Sequence, residues 1–284
     1  MSRRFAQVDV FGSGTCSGNP VAVVLGAEGL SDEEMRRFAR WTNLSETTFV
    51  LPPTRPEADY RVRIFTPVLE LPFAGHPTLG TAFAIREALC AGSVDSLVLR
   101  LGVGLVRVRF GDDGLVWLES PAAGLVPFPA PELAVAALGL PAAALHPTLP
   151  VESAGDRQLF VPLRDLARLE AAHVEPAAYA KLGASGAPSS LYCFARGTRD
   201  PGNHFSVRLF APASGVPEDP ATGSAAGWLG AYLVRHRVLG DGPIDVRLEQ
   251  GHAIARPSLL HVRADKDGSQ VGGRVIRVAR GEWL

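Results

Sequence analysis

Two short stretches place glycine and an ionisable or hydroxyl side chain directly ahead of an apolar helical run. One is PFAGHPTLG (72–80), which leads into TAFAIREAL; the other is EDPATGSAAG (218–227), which leads into WLGAYL. The first N–H groups of a helix have no intrahelical partners and carry partial positive charge, so a helix start is a natural anion site. Glycine there lets an anion approach the backbone with no Cβ in the way. Gly75-His76 and Gly223-Ser224 supply this arrangement twice. If both helix ends face one cleft, a small carboxylate is the guest they suit.

Three ionisable residues accompany these ends. Glu46 opens the β-like run ETTFVL, where a strand end can aim a carboxylate into a cleft and partial desolvation would fit it for proton transfer. A surface glutamate at a strand end is the plainer reading, and pattern alone favours it. His76 can simply cap its helix, although Gly75 before it and Pro77 after it build an anion nest. Asp219, in PEDPATG, either shapes the loop as Asp-Pro often does or binds substrate just upstream of the second nest.

The elements that must position these residues occur twice. V-R-I-F-T-P (62–67) lies over V-R-L-F-A-P (207–212), about 145 residues apart, and after a three-residue slip Gly75-His76 falls on Gly223-Ser224. Each copy runs strand, proline-containing loop, glycine, small-residue helix. The expectation is an α+β fold of two similar lobes, each a barrel-like, mostly antiparallel sheet around a central helix. The lobes are placed at 1–118 and 119–284, with the C-terminal strand near 273–284 as a candidate to complete the first. Strands are expected at AQVDVF, NPVAVVL, ETTFVLPP, YRVRIFTP, SLVLRLGVGLVRVRF and GLVWLES. In LSDEEMRRFARWTN, Ser31 and Glu34 form a capping box, and Met35, Phe38 and Trp41 are expected to face the core. Further on, helices are expected near 131–139 and 165–182, with strands at RQLFVPL and SSLYCFARG.

Composition narrows the function. With 28 basic and 29 acidic residues in 284, no charge excess marks a nucleic-acid or anionic-membrane partner. No apolar run is long enough to span a bilayer, and MSRRFAQVDVFGSG has no signal-peptide core, so a cytoplasmic location is expected. Three scattered cysteines argue against a disulfide framework, and the seven histidines show no metal-ligand spacing. The Gly-x-Gly of VDVFGSGTCSG is followed by strand-like VAVVL rather than by a helix, which removes a dinucleotide fingerprint. GSAAG is not the Gly-x-Ser-x-Gly of a serine hydrolase.

VDVFGSGTCSGNPVAVV, NLSETTFV, FTPVLELPFAGHPTLGTA, EDPATGSAAG and EQGHAIARPS, in this order, resemble the PhzF family of phenazine-biosynthesis-like proteins, which share the diaminopimelate epimerase fold. The resemblance covers the first 85 or so residues and roughly 204–260, and leaves 120–200 without signature. It implies that Glu46 is the proton-shuttling carboxylate, that His76, Asp219 and Ser224 are its site partners, and that Asn19, Gly75 and Gly223 contact substrate. Gln250, Gly251, Arg256 and Ser258 match the family's EQG…RPS segment, with a ligand-proximal or structural role; Ala255 stands where relatives carry glycine. Related epimerases use facing cysteines at the helix starts. Ala74 and Thr222 with the residues after them hold those places here, so a two-thiol mechanism is not expected, and Cys16 is read as structural. The resemblance also implies a homodimer.

The resulting expectation is an isomerase without cofactor or metal, acting by general acid–base proton transfer on a small carboxylate in the cleft between lobes. The rival is a non-catalytic protein that binds a small molecule in the same cleft.

Overall fold

The computed structural model describes residues 2–90, 94–120, 124–155 and 157–284. The fold is mixed α/β, with eighteen strands and six α-helices among the described residues. It divides into two compact units, Met1–Glu119 with Val271–Leu284, and Ser120–Gln270.

The chain begins with β1 (Arg3–Val10), β2 (Asn19–Val24), α1 (Asp32–Thr42), β3 (Glu46–Leu51), β4 (Tyr60–Phe65), β5 (Glu70–Leu71), α2 (Gly75–Ala88), β6 (Ser96–Leu101), β7 (Gly104–Phe110) and β8 (Val116–Ser120). β1 runs antiparallel to β2, β2 parallel to β3, β3 antiparallel to β4, β4 parallel to β6 and β6 antiparallel to β7, while β5 pairs with the end of β4. The parallel step from β2 to β3 needs a crossover, and α1 supplies it.

Next come β9 (Leu125–Pro127), α3 (Pro131–Ala137), β10 (Glu152–Ala154), β11 (Gln158–Pro162), α4 (Leu166–Ala171), α5 (Pro176–Ala184), β12 (Ser190–Arg196), β13 (Phe205–Ala211), β14 (Val216–Asp219), α6 (Gly223–Arg235), β15 (Ile244–Gln250), β16 (Ser258–Ala264), β17 (Ser269–Gly273) and β18 (Val275–Trp283). The pairing pattern is that of the first series. β10 is antiparallel to β11, β11 parallel to β12, β12 antiparallel to β13, β13 parallel to β15 and β15 antiparallel to β16, with β14 on β13. The V-R-I-F and V-R-L-F runs fall on β4 and β13, equivalent strands of the two series. β18 returns to the first unit as an antiparallel partner of β1.

Each unit has a helix that is buried nearly all round, and such a helix is apolar on most of its faces. In α2, Gly75 through Ala82 are buried, with Ala84 and Ile85. Gly80 permits the approach: a Cβ there would lie 2.6 Å from Val21 Cγ1 and 2.9 Å from Val8 Cγ2. In α6, Gly223, Ala225 through Gly230, Tyr232 and Leu233 are buried, and the Tyr232 hydroxyl donates to the Pro150 carbonyl at 2.6 Å. No helix among the described residues is long and apolar enough to cross a membrane.

Two expectations need correction. The Ser31–Glu34 capping box forms, and Met35, Phe38 and Ala39 are buried, but Trp41 is 72% exposed. At about 3.6 residues per turn, six residues beyond Met35 is some 120° away from it around the helix. Ala39, rather than Trp41, continues the buried face. The Trp41 ring instead packs on Phe38, with centroids 5.5 Å apart, at the surface. The single helix expected over 165–182 is two helices, α4 and α5. Pro176 has no N–H to give a preceding turn and holds Glu175 extended, at φ −90° and ψ 108°, so the helix must end and restart.

Candidate active site

In the first unit three elements bring polar groups to one place. β2 begins at Asn19-Pro20, β3 begins at Glu46, and α2 begins at Gly75-His76. The parallel register sets Val21 opposite Glu46, so the start of β3 lies beside Pro20. His76 closes the group: its ring donates to the Pro20 carbonyl, and its Nε2 lies 3.3 Å from Glu46 Oε2. The His76 side chain is 6% exposed and that of Glu46 15%.

Burial pushes the His76 imidazole down to about 3, against a smaller opposite effect of its bond to Pro20. The ring is therefore neutral at physiological pH, and the contact with Glu46 is not an ion pair. In a neutral ring with Nδ1–H given to Pro20, Nε2 presents a lone pair to the carboxyl group.

Hydroxyl groups fasten the two elements beneath this pair. Thr48, two residues along β3 from Glu46, shares a buried hydrogen bond of 2.7 Å with Thr81 of α2, and Thr81 also reaches the Pro77 carbonyl at 2.6 Å. At the end of α1, Thr42 meets Thr47 at 2.8 Å. Ala74, the residue before α2, offers no side-chain cap to the helix.

The second unit has a helix start of the same kind. Thr222 precedes α6 and provides no side-chain cap; its hydroxyl donates to Asp219 Oδ2. Gln250, the last residue of β15, accepts the Thr222 N–H at 3.1 Å and donates to the Asp219 carbonyl at 2.9 Å and to Thr222 Oγ1 at 3.1 Å. Asp219 and Gly223 are buried and Ser224 is half-buried. Register sets Tyr192, Leu209 and Asp219 opposite one another on β12, β13 and β14, hence on one face. Burial, with a smaller contribution from the Asp219 charge, pushes the Tyr192 phenol well above its ordinary value. The Tyr192 hydroxyl finds no hydrogen-bond partner among the described residues.

Of the residues expected in a site, Asn19, Glu46, Gly75 and His76 gather in the first unit, and Asp219, Gly223 and Ser224 gather at the start of α6 in the second. Cys16 is exposed with φ 63°, and its N–H donates to Asp9 Oδ2 at 2.9 Å. The Pro20 carbonyl and Tyr192 escaped the sequence reading. A backbone acceptor has no side-chain signature, and Tyr192 sits in the unsigned 120–200 region. Gln250 carried a signal in EQG, but not the direction of its amide.

A family model described as phenazine biosynthesis-like protein, PhzC-PhzF, matches residues 8–281. The chain is 41% identical over 274 residues to a trans-2,3-dihydro-3-hydroxyanthranilate isomerase of Pseudomonas aeruginosa, covering 94% of this chain and 92% of that one. A PhzF-family phenazine biosynthesis protein of Bacillus anthracis superposes with a TM-score of 0.87 at 28% identity, over 100% of this chain and 99% of that one. A predicted epimerase of Pseudomonas aeruginosa superposes with a TM-score of 0.81 at 33% identity, over 99% of both chains.

Proposed function

The chain belongs to the phenazine biosynthesis-like (PhzC-PhzF) family and is an isomerase, and we propose that it works without a cofactor, by general acid–base proton transfer through Glu46 on a small carboxylate-bearing metabolite. The observation that carries this reading is the buried contact of Glu46 Oε2 with His76 Nε2 at 3.3 Å. Glu46 takes a proton from one substrate carbon and returns a proton to another, so the protein ends as it began. Midway, the protonated carboxyl group can donate to the His76 lone pair, whose direction is set by the bond to Pro20. A carboxyl group that is alternately acceptor and donor is what a proton shift between carbons needs.

The uncapped N–H groups at Gly75-His76 suit the substrate carboxylate. By resemblance, Asn19, Asp219, Gly223 and Ser224 contact the substrate as well. The Pseudomonas aeruginosa relative is named for trans-2,3-dihydro-3-hydroxyanthranilate, an anthranilate-type carboxylate and therefore the first compound to try. The test is incubation with this compound in deuterium oxide, followed by mass spectrometry and NMR of the recovered carbon positions. Solvent deuterium should enter with wild type and not with Glu46→Gln. Equal incorporation by both proteins would sink the assignment of Glu46.

A further inference from the structure

We propose that Gln250 is a positioning residue that sets the direction of the Asp219 carboxylate and of the first N–H groups of α6. The inference rests on the reading of Asp219 as a substrate contact. One side-chain amide spans the whole turn from β14 to α6. Its nitrogen donates to the Asp219 carbonyl at 2.9 Å, at the start of the turn, and its oxygen accepts the Thr222 N–H at 3.1 Å, at the end. The same nitrogen reaches Thr222 Oγ1 at 3.1 Å, which fixes that hydroxyl to donate onward to Asp219 Oδ2. A threonine hydroxyl has one proton. With Gln250 as the donor to it, the proton goes to Asp219, and the carboxylate is held in one orientation.

The amide cannot relax away from this arrangement. Gln250 is buried, and the next residue, Gly251, has φ 77° with the Pro220 carbonyl oxygen 2.6 Å from where a Cβ would stand. The Gly251 carbonyl accepts the Arg256 N–H at 3.0 Å, and Ser258 is paired in register with Gln250. The EQG…RPS segment is thus a brace behind the Asp219 turn. It acts through Asp219 and Thr222.

The test compares Gln250→Ala, Thr222→Val, Asp219→Asn and the Asp219→Asn/Gln250→Ala double variant, assayed with trans-2,3-dihydro-3-hydroxyanthranilate, with crystal structures of the two brace variants. Thr222→Val, which removes the hydrogen bond to the Asp219 carboxylate, should lower kcat/KM about tenfold or more, and Gln250→Ala, which frees the Thr222 hydroxyl and the Asp219 main chain, should lower it in the same direction. The double variant should be no slower than Asp219→Asn alone, and the Asp219 carboxylate should be turned in both brace structures. An unmoved carboxylate, or losses that multiply in the double variant, overturns the proposal. A turned carboxylate with full activity instead overturns Asp219 as a substrate contact.

Should Gln250→Ala fail to fold, Gln250→Glu carries the test. It keeps the oxygen that accepts Thr222 N–H and loses the donor except when protonated. Its activity relative to wild type should therefore rise as pH falls; a ratio independent of pH would count against the brace.

Discussion

Glu46 and His76 meet oxygen to nitrogen at 3.3 Å, although β4 and β5 separate them in the chain. The contact is set by a third residue whose side chain takes no part, because the Pro20 carbonyl claims one ring nitrogen and leaves the other facing the carboxyl group. Proline suits that position. It has no N–H to donate, its fixed φ stiffens the start of β2, and its carbonyl remains a full acceptor.

The buried neutral imidazole makes stability depend on pH. The His76 pKa falls from 6.5 to about 3 on folding, so between those values the unfolded chain binds a proton that the folded chain refuses. Stability contributed by this residue is complete above 6.5 and is lost as pH falls toward 3, at about 1.4 kcal/mol per pH unit. Urea unfolding at pH 7 and pH 4 checks this against His76→Gln, which has no proton to refuse. The stability advantage of wild type over the variant should shrink by a few kcal/mol at the lower pH; an advantage of constant size would contradict a neutral His76.

Sequence pattern went far with elements and less far with contacts. Alternation and turn residues mark β1 through β4 and β8, and the V-R-I-F repeat marks the two equivalent strands, because period and register are properties of the chain itself; the one run expected over 96–110 is two antiparallel strands, β6 and β7, turned between Leu101 and Gly104. Trp41 misled because three-residue spacing drifts around a helix and an aromatic side chain suggests burial whichever way it faces. The helix over 165–182 misled because the apolar content on both sides of Pro176 outweighed the proline. Glu46 looked like a surface residue on pattern alone. What makes it otherwise is His76, brought over it by tertiary packing.

Gly80 should tolerate no side chain. A Cβ would lie 2.6 Å from Val21 Cγ1 and 2.9 Å from Val8 Cγ2, both in buried strands beneath α2. Gly80→Ala should destabilise by about 1–3 kcal/mol despite its better helix propensity. Denaturant midpoints for Gly80→Ala, Val21→Ala and the double variant decide it: the second alanine removes the nearest of the contacts, so the double variant should lose less than the two single losses added together. Losses that simply add would mean that the strain lies elsewhere.

Ala255 adopts φ 56° and ψ 29°, the left-handed region that favours glycine. An L-residue pays roughly 1–2 kcal/mol there, while glycine gives back roughly 0.5–1 kcal/mol in the entropy of the unfolded chain. Ala255→Gly should therefore be neutral to stabilising by about 1 kcal/mol. A thermal melt in which Ala255→Gly loses stability would show that the Ala255 methyl makes a compensating contact.

Tyr192 offers the sharpest separation of stability from activity. Its buried hydroxyl has no partner among the described residues, and on the shared face of β12, β13 and β14 it stands within the field of Asp219. An unpaired buried hydroxyl costs about 1–3 kcal/mol, so Tyr192→Phe, which keeps the ring against Phe160, should be at least as stable as wild type. With turnover unchanged, the hydroxyl is a tolerated imperfection of the core. A loss of stability would show that it holds a buried water. If turnover falls while stability holds or rises, the hydroxyl is kept unpaired for the substrate, because only the bound complex would then supply its partner. Parallel measurement of the unfolding midpoint and kcat/KM separates the three results, and a fall in KM-independent turnover would place Tyr192 beside Asp219 in the reaction rather than in the scaffold.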